Sequence, residues 1–113
     1  MTTLRAETVF VIDGERYPRR PTFAIIAAIE RQYGAIWPLL QRATTASIGI
    51  EETATIVHII LGGPQQGAPK LGRVQEAVFD EYSEFLRLVA EFLANAITDP
   101  SRSAEGNATA ATQ

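Results

Sequence analysis

The chain has 113 residues, of which 46% are hydrophobic and 20% charged, with a net charge of −3 and no cysteine. That length holds one core of ordinary size, and the balance is that of a folded protein rather than a disordered one. The charge gives no general attraction to nucleic acid or anionic lipid, and the missing thiols exclude disulfides, thiolate chemistry and cysteine-ligated zinc. Residues 1–20 contain no apolar block of signal-peptide length, and no apolar run approaches the roughly 20 residues of a membrane span. A cytoplasmic protein without a membrane partner is expected.

Residues 1–6 are expected to be a flexible N-terminus, followed by one domain over 7–99. Thr8 to Ile12 reads Thr-Val-Phe-Val-Ile and runs into Asp13-Gly14, the pair that best accepts the positive φ angles of a two-residue type I′ turn. The resulting hairpin places Phe10, Ile12 and Tyr17 on one side. Pro18 has no N–H, so the second strand is either an edge or is cut short near Tyr17.

Pro21-Thr22 opens a helix over Phe23 to Tyr33, with Thr22 as N-cap, a stripe of Ile26, Ala27 and Ile29, and Gly34 as the left-handed stop. A short second helix is expected over Ala35 to Thr45, with Pro38 in its first turn. Glu51 to Leu61 is ambiguous. Its β-branched residues suit a buried strand, whereas Glu51-Glu52 at the start and Gly62-Gly63 at the end favour a helix, which is the reading adopted. Gly62 to Lys70 is a loop. From Gly72 to Thr98, Val78, Tyr82, Phe85, Val89, Phe92 and Ala96 follow a four-three spacing that aligns them along one helix face, with Phe79, Leu86 and Leu93 beside it. Asp80 to Ser83 is a candidate break in that helix. The segment after Asp99-Pro100 has no large apolar residue, and a disordered tail is expected over 100–113. The fold class is therefore α+β, an N-terminal β-hairpin packed on a bundle of about four α-helices.

Chemistry-bearing residues are sparse. His58 is the single histidine and sits between Val57 and Ile59, which suits packing better than catalysis, and without other imidazole or thiolate ligands no transition-metal site is expected. Glu51-Glu52 and Asp80-Glu81 lack the spacing of a calcium loop and read as helix-end charges. The Gly62 to Gly72 loop fails as a phosphate loop, because Lys70 is not followed by Ser or Thr and Pro64 and Pro69 remove backbone donors. Asn107-Ala108-Thr109 is a glycosylation sequon without meaning in a chain that is not exported. No nucleophile, base and orienting group come together, so neither enzyme activity nor a cofactor is expected. Arg16, Arg19 and Arg20 cluster on the hairpin, where three guanidinium groups suit a phosphate or an acidic partner surface. Their plainer reading is a charged edge that resists aggregation.

The run from Val11 to Phe23, Val-Ile-Asp-Gly-Glu-Arg-Tyr-Pro-Arg-Arg-Pro-Thr-Phe, followed by Ile29-Glu30 and Gly34, resembles the gene transfer agent family of phage tail proteins. The resemblance spans about residues 7–98, with its distinctive pattern in 11–34. Such proteins are described both as tail tube proteins and as tail assembly chaperones, and one convincing hairpin suits the chaperone better than a β-barrel wall. The resemblance implies a cytoplasmic protein that binds the tape measure protein, leaves as tail tube subunits polymerise, and carries no catalytic residues. Homo-oligomerisation is compatible with this reading. The candidate contact residues are Trp37, Leu39 and Leu40 with the hairpin arginines Arg16, Arg19 and Arg20, although a lone tryptophan is ordinarily a core aromatic. The rivals are a structural tube or connector subunit and a small nucleic-acid-binding regulator that uses the arginines.

Overall fold

The computed structural model describes residues 5–98, so the tail expected over 100–113 and most of the N-terminus expected to be flexible lie outside the described residues. Arg5 and Ala6 are held against the body of the domain: the Arg5 guanidinium donates to the Ala96 carbonyl at 3.1 Å and Asn95 donates to the Ala6 carbonyl at 3.4 Å.

Strands β1 (Thr8–Ile12) and β2 (Glu15–Arg19) form an antiparallel pair. Asp13 and Gly14 between them both take positive φ, 53° and 82°, as a type I′ turn requires. The register sets Phe10 opposite Tyr17 and Val9 opposite Pro18. In a two-residue hairpin the pair flanking the turn is hydrogen-bonded and the pairs alternate from there. Pro18 therefore falls in a non-bonded pair and its nitrogen faces outward, where a missing N–H costs the ladder nothing. That is why the second strand runs on to Arg19 instead of ending near Tyr17.

Thr8, Phe10 and Ile12 point into the domain and are buried. Phe10 meets Phe92 edge to face, with ring centroids 6.2 Å apart and planes at 61°, and this contact fixes the hairpin on the helices. The buried Thr8 hydroxyl is satisfied by Asn95 at 3.3 Å.

Among the described residues five helices follow: α1 (Phe23–Tyr33), α2 (Ile36–Thr44), α3 (Ile50–Ile60), α4 (Leu71–Asp80) and α5 (Tyr82–Ile97). Thr22 caps α1 by accepting from the Ile25 N–H at 3.2 Å, and Gly34 ends it at φ 84°. The ambiguous segment is a helix. Its buried positions Thr53, Ile56, Val57 and Ile60 follow helical spacing rather than the alternation of a strand, and Glu52 reaches back to the Gly49 N–H at 3.2 Å. Its threonines are absorbed by back-bonding, Thr53 to the Gly49 carbonyl at 2.8 Å and Thr55 to that of Glu51 at 3.0 Å.

The bundle has one helix more than expected because the long C-terminal helix divides at Glu81, whose φ of −134° and ψ of 52° leave the helical region. The division lets Val74 and Val78 of α4 pack against α3 while α5 packs against α2. The Tyr82 hydroxyl donates to the Ile48 carbonyl and pins the start of α5 to the α2–α3 connection. Phe85, Val89 and Phe92 are buried along the expected face, with Leu86 and Leu93 beside them. Phe79, which was aligned beside the same seam, is instead 67% exposed: α4 buries its Val74–Val78 row and Phe79 lies one step round from it.

Candidate partner-binding surface

Helix α1 is apolar beyond what the core uses. Phe23 to Ile29 reads Phe-Ala-Ile-Ile-Ala-Ala-Ile without a polar residue, yet Ile29 alone is buried. Phe23 is 90% exposed, Ala24 is exposed, and Ile25, Ile26, Ala27 and Ala28 are half-buried. A helix that is apolar all round belongs in an interior, and here its first two turns are left at the surface.

Two depressions flank it. On one side a groove of about 400 Å³ runs between Ala24, Ile25 and Ala28 of α1 and the end of α3, from Ile59 to Gln65, with Arg19 at its rim. On the other, a hollow of about 260 Å³ lies among Arg5, Pro21, Phe23, Ile26 and Ala96. The Ala24–Ala28 pair is one turn apart, and its short side chains leave room for apolar groups from a partner to seat against the helix.

The hairpin arginines do not act together. Arg19 lies on the inner side, where it donates to the Leu61 carbonyl at 3.4 Å and stands 5.7 Å from the Tyr17 ring centre. Its charge therefore sits against the C-terminal end of α3, where a cation is favoured. Arg16 and Arg20 share the outer side, and Arg20 is paired with Glu7 at 3.1 Å. One guanidinium at the groove, one paired with Glu7 and one without an ion-pair partner among the described residues do not make a phosphate clamp.

Among the other candidates, Trp37 is 57% exposed at the second position of α2 rather than in the core, and Leu40 is half-buried beside it. Leu39 is corrected by the structure: at 2% exposure it packs into the core against α5 and is not available for contact. His58 is half-buried on α3. Glu51 and Glu52 lie in the first turn of α3 and Asp80 and Glu81 at the α4–α5 break, as helix-end charges should. Among the described residues, no three His, Asp or Glu side chains gather where they would hold a metal ion, and no helix is long and apolar enough to cross a membrane.

A family model described as phage tail tube protein, GTA-gp10, matches residues 5–99, which takes in the hairpin and all five helices. The chain belongs to that family. No curated protein and no solved structure matches it. In this gene transfer agent and phage tail protein, the residues that carried the resemblance serve the fold: Asp13-Gly14 turns the hairpin, Thr22 caps α1, Ile29 fills the core, and Glu30 and Gly34 shape the α1–α2 corner. The exposed part of α1 was missed in the sequence because an unbroken apolar run reads as core. The signal was its excess, for a half-covered helix needs only one apolar stripe.

Proposed function

We propose that this chain is a non-enzymatic tail assembly chaperone that binds the tape measure protein in the cytoplasm and assists tail tube assembly. The observation that carries the reading is α1, whose apolar first two turns lie at the surface between two depressions. A tape measure protein is long and helical, and its apolar stripes need cover until tube subunits enclose it. Seating such a stripe along α1, with Trp37 and Leu40 as further contacts and Arg19 at the rim for an acidic side chain, supplies that cover. Weak contacts repeated along a long partner hold by avidity and still release in turn.

A structural tail tube subunit is the second reading, favoured by the wording of the family description. Against it stands the sheet: the described residues contribute two strands, and a tube wall built from continuous sheet needs more. Co-expression with the tape measure candidate, the long helical protein encoded nearby, separates the two. The chaperone reading expects the partner to become soluble and to co-elute with several copies of this chain. A partner that stays insoluble, beside a chain that forms rings or filaments alone, would move the assignment to the tube.

A further inference from the structure

The two edges of the hairpin differ in what they offer. Hydrogen-bonded pairs at Ile12–Glu15, Phe10–Tyr17 and Thr8–Arg19 leave the backbone groups of Val9 and Val11 on β1, and of Arg16 and Pro18 on β2, directed outward. The β2 edge is blunted. Pro18 has no N–H there, and its carbonyl is occupied by the Arg19 guanidinium at 2.9 Å. The β1 edge is open: among the described residues, no group outside the hairpin hydrogen-bonds to the backbone of Val9 or Val11. Val11 is 45% exposed, and β1 itself, Thr8–Ile12, contains no charged residue and no proline.

We infer that β1 pairs antiparallel with β1 of a second copy of this chain across a two-fold axis, joining the two hairpins into one four-stranded sheet. The occupant follows from the edges themselves. A β1-to-β2 contact would repeat without closing, and the blunted β2 edge forbids it, which leaves the self-complementary contact that closes at two copies. The length of strand that can pair then selects the register. Only odd-numbered residues of β1 face outward, so Val9 meets Val9, Val11 or, with Val11 facing Val11, Asp13 of the other copy. Asp13 has left the strand at φ 53°, so the second arrangement bonds only the two Val9–Val11 pairs and the third only Val11 to Val11. With Val9 facing Val9, each Glu7 also lies opposite a Val11, which gives the longest ladder and leaves Glu7 and Asp13 with Arg20 and Arg73 of their own chain.

Because the chain has no cysteine, a single introduced thiol reports this geometry directly. Facing residues of a hydrogen-bonded antiparallel pair have Cα atoms about 5.5 Å apart, within disulfide range, whereas two Val11 positions would stand roughly 13 Å apart, four residues of strand. Under mild oxidation Val9→Cys is expected to run as a disulfide dimer, while Val11→Cys and Trp37→Cys stay monomeric on a non-reducing gel. Light scattering is expected to give the wild-type chain twice the monomer mass. Val9→Pro should halve that mass with an unchanged circular dichroism spectrum, since the N–H it removes takes no part in the β1–β2 ladder. A monomeric wild-type chain, as would be found if the edge takes an extended segment of another protein, overturns the inference. So does equal cross-linking at positions 9 and 11, or a Val9→Pro protein that remains dimeric.

Discussion

The Glu30 carboxylate accepts a hydrogen bond from the Ile36 backbone N–H at 3.0 Å, so the last turn of α1 caps the first turn of α2 across the Gly34 corner. The bond supplies what α2 otherwise lacks, because its N-cap residue is Ala35, whose side chain cannot accept. Glu30→Ala is expected to cost about 1 kcal/mol of stability in urea denaturation, and Glu30→Gln less, since the amide oxygen still accepts. An equal loss in both variants would point to the charge rather than to the cap.

The Phe10–Phe92 contact predicts a larger effect. Both rings are fully buried, and Phe92→Ala should destabilise the domain by roughly 3–5 kcal/mol through lost burial and the cavity left behind. Thermal unfolding followed by circular dichroism checks this, and Phe92→Leu should recover much of the loss.

Phe23 and Leu39 should behave in opposite ways when charged. Phe23→Asp places an acid in the first turn of α1, where the helix favours it, and removes a side chain that touches little. Its stability should stay within about 0.5 kcal/mol of wild type while partner binding falls. Leu39→Asp, in the core, should prevent folding. Trp37→Glu should side with Phe23→Asp, keeping the fold and weakening the complex.

Glu84 supplies the pH-dependent case. Its hydrogen bond from Arg87, at 2.6 Å, holds its carboxyl below the ordinary range. A carboxyl depressed in the folded state contributes stability above its unfolded pKa and loses it as pH falls through the folded value. The contribution is thus complete at neutral pH and absent in strong acid, and exposure to solvent keeps it small and sensitive to salt. In a carbon-detected NMR titration, Arg87→Ala should move the Glu84 midpoint up towards the ordinary carboxylate value.

The hairpin and α1 were legible because their signals are local. Asp13-Gly14 fixes a turn and Thr22 a cap without help from the rest of the chain. The α3 segment was balanced in sequence because Thr53, Thr55 and Val57 suit either state, and only tertiary burial of Thr53, Ile56, Val57 and Ile60 decides. The break at Glu81 was foreshadowed by Asp80 and Ser83, but no side-chain hydrogen bond caps it; what accompanies it is a change of partner, since α4 packs on α3 whereas α5 packs on α2 as well as α3. The surface was the least legible part. Leu39 and Trp37 sit two residues apart on one short helix, and only the placement of α2 against α5 sends one inward and leaves the other out. The arginines look like a cluster in sequence because strand alternation, which sends Arg19 to the opposite side from Arg16, is invisible until the strand is known to continue through Pro18.

The most direct test of partner binding at α1 is methyl NMR of the chain, labelled at isoleucine and alanine, with and without the co-expressed tape measure candidate. Shifts concentrated at Ile25, Ile26, Ala24 and Ala28, with the core methyls of Ile56 and Ile60 unmoved, are the predicted result. A complex that forms while the α1 methyls stay unchanged, or no complex at all, would contradict it.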